Sequence, residues 1–173
     1  IGQFLTVVFS MLYGIISYEF SYYGEMITYL GMTMPMAFFA LISWLKNPYN
    51  NNKSEVKVNN LSKKEIVFTF VLTAFVTIVF YYILKYFNTA NLIPSTISVT
   101  TSFLAVYLTF RRSPYFALAY AMNDLVLIVL WALASIEDKS YFSVVICFVV
   151  FFVNDMYGFV NWKRMEKKQK ENI

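Results

Sequence analysis

The chain has 173 residues, of which 59% are hydrophobic, 20% aromatic and only 14% charged, with a mean hydropathy of +0.56. A soluble domain carries about 25% charged residues, so this composition excludes one and implies membrane spans. The net charge is +4 with no histidine, which excludes His-based metal ligation and His general-base catalysis. The single cysteine, Cys147, lies in an apolar run, so neither a disulfide framework nor a thiolate metal site can be built.

Six apolar runs follow one another, at residues 1–18, 23–45, 65–87, 92–110, 115–136 and 141–162. At a helical rise of ~1.5 Å per residue, such runs match a hydrocarbon core of ~30 Å. Barrel strands would show short alternating segments instead, so the chain is an all-α integral membrane protein. The first run opens at Ile1 without a Met or a charged flank, and reads as clipped. It lacks the basic segment and small-residue cleavage site of a signal peptide.

Charges orient the runs. Lys46, Lys53, Lys57, Lys63 and Lys64 lie in or beside the Asn-rich segment after the second run. Arg111 and Arg112 follow the fourth run, and Lys163, Arg164, Lys167, Lys168 and Lys170 follow the sixth. The alternate connections hold Glu19 and Glu25, a short Asn-Thr-Ala-Asn turn, and Glu137-Asp138-Lys139. The positive-inside rule then puts the 47–64 loop, Arg111-Arg112 and the C-terminus in the cytoplasm.

A weak internal repeat crosses the 47–64 linker. Setting Trp44 against Trp162 aligns Tyr23 with Tyr141, Tyr13 with Trp131 and Lys46 with Arg164, without a gap. Parallel repeats of this kind occur in some transporter folds. The expected plan is two parallel three-helix bundles joined by a linker helix (3+1+3), with one helix preceding Ile1. Its parts are residues 1–46 (first bundle), 47–64 (cytoplasmic loop), 65–91 (linker helix), 92–164 (second bundle) and 165–173 (cytoplasmic tail).

Two Asn-Asp pairs interrupt the last two runs, Asn123-Asp124 and Asn154-Asp155. Amides and carboxylates at that depth usually face a protein interior or a water-filled cavity, which makes them candidates for a site. Asn123, Leu127 and Trp131 share one helix face, bordered by Tyr120 and Asp124. Asn154, Tyr157, Gly158 and Asn161 share another, with Asp155 and Trp162 beside it. Amides flanked by indole and phenol rings suit a flat heteroaromatic ligand bearing hydroxyls. The competing use of such asparagines is to tie helices together, which would make the chain a non-transporting membrane scaffold subunit. The two acids either hydrogen-bond ligand hydroxyls or take up protons. Trp44 and Trp162, beside Lys46 and Lys163, are expected as interfacial anchors. Pro35, preceded by Gly31, is a conformational hinge or a static kink. No nucleophile with a base partner and no phosphate-binding loop is present, so no enzyme, cofactor or metal is expected.

Residues 18–44, YEFSYYGEMITYLGMTMPMAFFALISW, resemble the PnuC family of bacterial vitamin transporters, in which a Tyr-Gly-Glu-Met turn leads into a Pro-containing helix ending in Trp. Residues 100–131 resemble the family's basic loop followed by a helix with a central Asn and a distal Trp. Residues 152–162, FVNDMYGFVNW, resemble its closing Asn-x-x-Tyr-Gly-x-x-x-Trp motif. The resemblance implies a fold related to the SWEET sugar carriers. It also implies facilitated uptake of nicotinamide riboside or a related nucleoside-like vitamin, trapped afterwards by phosphorylation. The family's ligand-contacting positions fall on Asn123, Trp131, Asn154 and Tyr157. The chain departs from the pattern at Ala37 and Tyr29, where many members carry Gln and Asn, and Asp124 and Asp155 are not general features. A deoxynucleoside or thiamine-like substrate therefore stays open. The expected setting is a bacterial cytoplasmic membrane, with lipid and a small-molecule substrate as partners, no nucleic acid, and a homo-oligomeric assembly.

Overall fold

The computed structural model describes residues 2–19, 23–50, 52–89 and 91–171. The turn joining the first two runs, residues 20–22, and the ends of the chain at residues 1 and 172–173 lie outside the described residues. Helix α1 spans Gly2–Glu19, and a second continuous helix follows in three parts: α2 (Tyr23–Ile27), a π-helical segment (Thr28–Thr33) and α3 (Met34–Leu45). A small hairpin of β1 (Pro48–Tyr49) and β2 (Asn52–Val56) leads to α4 (Lys63–Tyr86), α5 (Leu92–Phe110), α6 (Phe116–Glu137) and α7 (Phe142–Glu171). Among the described residues, five helices are long and apolar enough to cross a membrane: Tyr23–Leu45, Lys63–Tyr86, Leu92–Phe110, Phe116–Ile136 and Lys139–Glu171. The apolar part of α1, Gly2–Ile15, is shorter. The protein is a multi-pass, all-helical membrane protein.

Side chains explain the helix ends. Ser62 caps α4: its Oγ accepts from the Glu65 N–H at 3.3 Å, while Glu65 Oε2 accepts from the Ser62 N–H at 2.8 Å. Helix α4 closes with the Thr89 N–H on the Leu84 carbonyl and the Asn88 N–H on that of Lys85, Asn88 adopting positive φ. Helix α5 closes the same way, with Ser113 on Leu108 and Arg112 on Thr109. Here a β-carbon-bearing Arg112 holds φ 58° where glycine is favoured. Arg112→Gly is therefore expected to raise thermal stability slightly, by up to about 1 kcal/mol, in a detergent melting assay. A lower melting temperature would show that the contacts of Arg112 outweigh its strain.

Packing follows the rule for membrane interiors, where small residues let helices approach. Ala105 on α5 and Ala117, Ala119 and Ala121 on α6 are buried. Met32, Leu84, Val99 and Phe103 form a second cluster between the π segment, α4 and α5. The Thr77 and Thr100 hydroxyls, 2.8 Å apart, join α4 to α5. The outward faces carry large apolar side chains such as Phe68, Phe70 and Phe75, as expected of helices solvated by lipid.

The three basic segments meet at one end of the bundle. Arg111 pairs with Glu65, Arg112 Nη1 donates to the Lys57 carbonyl at 3.4 Å, and the Asn59 N–H donates to the Arg112 carbonyl at 3.1 Å. The tail, expected as a flank beyond the last run, continues α7 as helix to Glu171. Its Gln169 is buried against the hairpin: Oε1 accepts from the Val58 N–H at 2.9 Å, and Nε2 donates to the Val56 carbonyl and Glu55 Oε1, both at 3.0 Å. Glu166 bonds both Lys163 and Lys170, one helical turn to either side.

Candidate ligand cavity

The π segment shapes the centre of the molecule. Proline has no N–H, so Pro35 cannot donate to the carbonyl of Gly31 and the regular ladder lapses before it. The Thr33 hydroxyl donates instead to the Thr28 carbonyl five residues back, at 3.3 Å. Single π turns inside α-helices recur at functional sites. Here the turn carries Thr28 and Tyr29 into the wall of a cavity.

The cavity lies between that helix, α1, α5 and α6, toward the end opposite the basic segments. One side is aromatic. The Tyr13 and Tyr29 rings lie 4.4 Å apart with Phe9 stacked on Tyr13 at 5.6 Å, and Trp131 faces in from α6 with Tyr141 behind it at 5.3 Å. Another side is hydroxylated, by Ser95, Ser98 and Ser102 of α5. Glu25 also faces the cavity and accepts a hydrogen bond from the Tyr13 hydroxyl. The space between these walls is about 480 Å³ including its open mouth. Its enclosed part holds only a few waters, so a nucleoside-sized ligand requires the walls to separate.

Gly24 sets how close the mouth can come. A β-carbon there would lie 2.5 Å from Thr89 Oγ1 and 2.8 Å from Leu84 Cδ2. Gly24→Ala is expected to cost about 1–3 kcal/mol by overpacking and to alter ligand access, because Thr89 and Leu84 both line the cavity. A melting temperature and ligand affinity equal to wild type would contradict this.

The sequence-predicted residues divide into three groups. Trp131 and Leu127 line the cavity, and Asn123 is buried directly behind it. The Asn123 carbonyl accepts from Thr101 at 2.8 Å, Ser102 at 3.1 Å and Ser98 at 3.4 Å. Ser98 and Ser102 are themselves cavity residues, so Asn123 both ties α5 to α6 and orients the hydroxyl wall. Asp124, Asp155 and Tyr120 form a separate group. The carboxyls of Asp124 and Asp155 neighbour each other across α6 and α7, with Asn154 beside Asp155 and Tyr120 close to both acids. Asn154 and Tyr157 are exposed on the outer face of α7, Tyr157 by 67%, and do not reach the cavity. Their helix face turns away because Asp155, one residue on, takes the inward position. Pro35 is half-buried at the start of α3, directly after the π segment.

Tyr13, Glu25 and Thr28 are cavity residues that the sequence did not single out as ligand contacts, and Tyr29, a departure from the family pattern, joins them. Tyr13 carried a signal, its repeat match to Trp131, and the two rings do line one cavity. Glu25 stands in the Tyr-Gly-Glu-Met turn of the family resemblance, but an acid at a run's edge reads as a loop charge. The repeat-matched Trp44 and Trp162 also meet, 5.2 Å apart, with Phe116 4.8 Å from Trp162. They close the end of the bundle that bears the basic segments. Trp44 Nε1 donates at 2.8 Å to the Thr109 carbonyl and Ser43 Oγ at 2.9 Å to that of Phe110. Both carbonyls belong to the last turn of α5, where intrahelical partners run out.

Comparison with known proteins places this architecture. The nicotinamide riboside transporter PnuC of Neisseria mucosa is 26% identical over 162 residues, covering 91% of this chain and 61% of the relative. The chain thus spans less than two thirds of that protein's length. A crystal structure described as that of the vitamin B3 transporter PnuC matches with a TM-score of 0.77 over 96% of this chain and 73% of that one. Its sequence is 22% identical, so this likeness bears on the fold. A family model described as nicotinamide mononucleotide transporter matches residues 1–164, and the chain belongs to that family.

Proposed function

We propose that this protein carries nicotinamide riboside, or a closely related nucleoside-like vitamin precursor, across a bacterial cytoplasmic membrane by facilitated diffusion. The observation that carries the reading is the cavity: an aromatic wall of Tyr13, Tyr29 and Trp131 faces a hydroxyl wall of Ser95, Ser98 and Ser102. A flat heteroaromatic ring stacks on the first while a ribose bonds the second. In this reading the chain follows the 3+1+3 plan, the basic end and the C-terminus face the cytoplasm, and the transporter is a homo-oligomer. Trp131 and Asn123 serve the ligand directly or through the serines. Tyr120 and the two aspartates line the path when the walls separate.

Alternating access is part of the proposal. The cavity sits at one end and the Trp44–Phe116–Trp162 cluster shuts the other, which is the arrangement of a carrier caught between two openings. Pro35 and the π segment supply the bend. Pro35→Ala restores an N–H, so the π turn can relax to α-helix and swing Tyr29 off the wall. The expected outcome is intact folding with uptake reduced at least several-fold; full uptake would remove Pro35 from the mechanism.

A second substrate class has one observation in its favour. Tyr29, one of the departures from the family pattern, is on the cavity wall. A thiamine-like or deoxynucleoside substrate follows if its ring replaces a polar contact. Uptake of radiolabelled nicotinamide riboside, thiamine and deoxynucleosides into proteoliposomes tests both readings, and failure of all three sinks the transporter assignment. An imposed proton gradient is expected to leave the rate unchanged. Acceleration by the gradient would instead make Asp124 and Asp155 a proton-carrying pair.

A further inference from the structure

We propose that Glu25 makes the cavity selective for a ring that carries a positive charge, so that a cationic heteroaromatic ligand binds in preference to a neutral one of the same shape. This rests on the transporter reading above and adds a specificity-determining residue to it.

The argument is one of missing charge. Glu25 faces the cavity, and its carboxyl is held by the hydroxyl of Tyr13. No lysine or arginine lines the cavity, and none pairs with Glu25 among the described residues. A carboxylate in a water-poor recess without a counter-cation is costly, and a ligand bringing one positive charge removes that cost. The surrounding rings act in the same direction. Tyr13, Tyr29 and Trp131 present π-faces, and a cation against such faces is attracted by their negative quadrupoles. Carboxylate and aromatic wall together form a box for a delocalised organic cation. An N-glycosylated pyridinium, as in nicotinamide riboside, and a thiazolium, as in thiamine, both meet that description. Deoxynucleosides are neutral and do not.

The position of Glu25 supports a selective role. It lies at the start of the second helix, with Gly24 packed against Leu84 and Thr89 at the cavity mouth. The Tyr13 bond fixes the carboxyl against the aromatic wall, so charge recognition and stacking act on one ring.

The test is a binding titration on the purified protein with two matched pairs of probes. The first pair is nicotinamide riboside and its neutral dihydro form; the second is 1-methylnicotinamide, methylated on the ring nitrogen and so a pyridinium cation, and neutral nicotinamide, both without the ribose. Wild type is expected to favour the cation of each pair by about tenfold or more. Glu25→Gln keeps an acceptor for Tyr13 and is expected to bring the ratio near one, with the neutral member bound as before. Glu25→Asp keeps the charge and is expected to keep most of the preference. Equal affinities for both members of both pairs in wild type overturn the proposal, even if Glu25→Gln does not fold. An unchanged cation preference in a folded Glu25→Gln protein overturns it too. The transporter reading fails separately, when proteoliposomes take up neither the cationic nor the neutral substrates.

Discussion

Trp131→Ala is expected to weaken binding of the nucleoside-like ligand by roughly ten- to a hundredfold, with the melting temperature close to wild type. Removing an aromatic platform from a stacked base costs ~1–3 kcal/mol, and each 1.4 kcal/mol is a factor of ten. The fold tolerates the change because Trp131 is only partly buried, with Tyr141 behind it and cavity space before it. Trp131→Phe keeps a π-face and should recover most of the affinity. Calorimetric titration of the two variants with nicotinamide riboside measures the difference. Equal affinities in wild type and Trp131→Ala would remove this residue from the site and move the ligand elsewhere in the bundle.

Trp44→Ala is expected to have the largest effect on stability, about 3 kcal/mol, read as a drop of several degrees in melting temperature. The indole is lost from contact with Trp162 and Phe116, and the Thr109 carbonyl loses its Nε1 donor. Trp44→Phe keeps one aromatic ring but loses the hydrogen bond and part of the indole, and should cost about 1–2 kcal/mol. The same substitution tests the closure of the basic end. Ala40, one turn before Trp44, is fully buried. With exposed Cys147 replaced by Ser, the thiol introduced by Ala40→Cys should resist maleimide when Trp44 is present and react when Trp44→Ala is added. Equal protection in both backgrounds would show that the aromatic cluster is not the closure.

Both experiments turn on residues that the sequence treats unequally. The runs were legible because lipid demands long apolar helices, and a five-helix membrane bundle with a shorter first helix is what formed. The face carrying Leu127 and Trp131 was legible from spacing alone, since residues four apart on a helix must share a side. Trp44 and Trp162 read as interfacial anchors because each sits beside a lysine. That they also touch depends on how α3 and α7 cross, which no local pattern encodes.

Composition and periodicity by themselves determined that the chain is a helical membrane protein, which segments are basic, and that polar groups interrupt its last two runs. Only the tertiary structure decided which of those groups meet a common space. A helix's own period says which residues share a face, but not which neighbour that face meets. So Asn154 and Tyr157, matched to a motif, turn outward on α7, while Asp155 between them turns in toward Asp124. Glu25 lies in the first turn of the second helix, and only packing against α1 carries it into the cavity beside Tyr13. The π turn likewise arises from the missing N–H of Pro35, but where it puts Tyr29 depends on the helices that receive it.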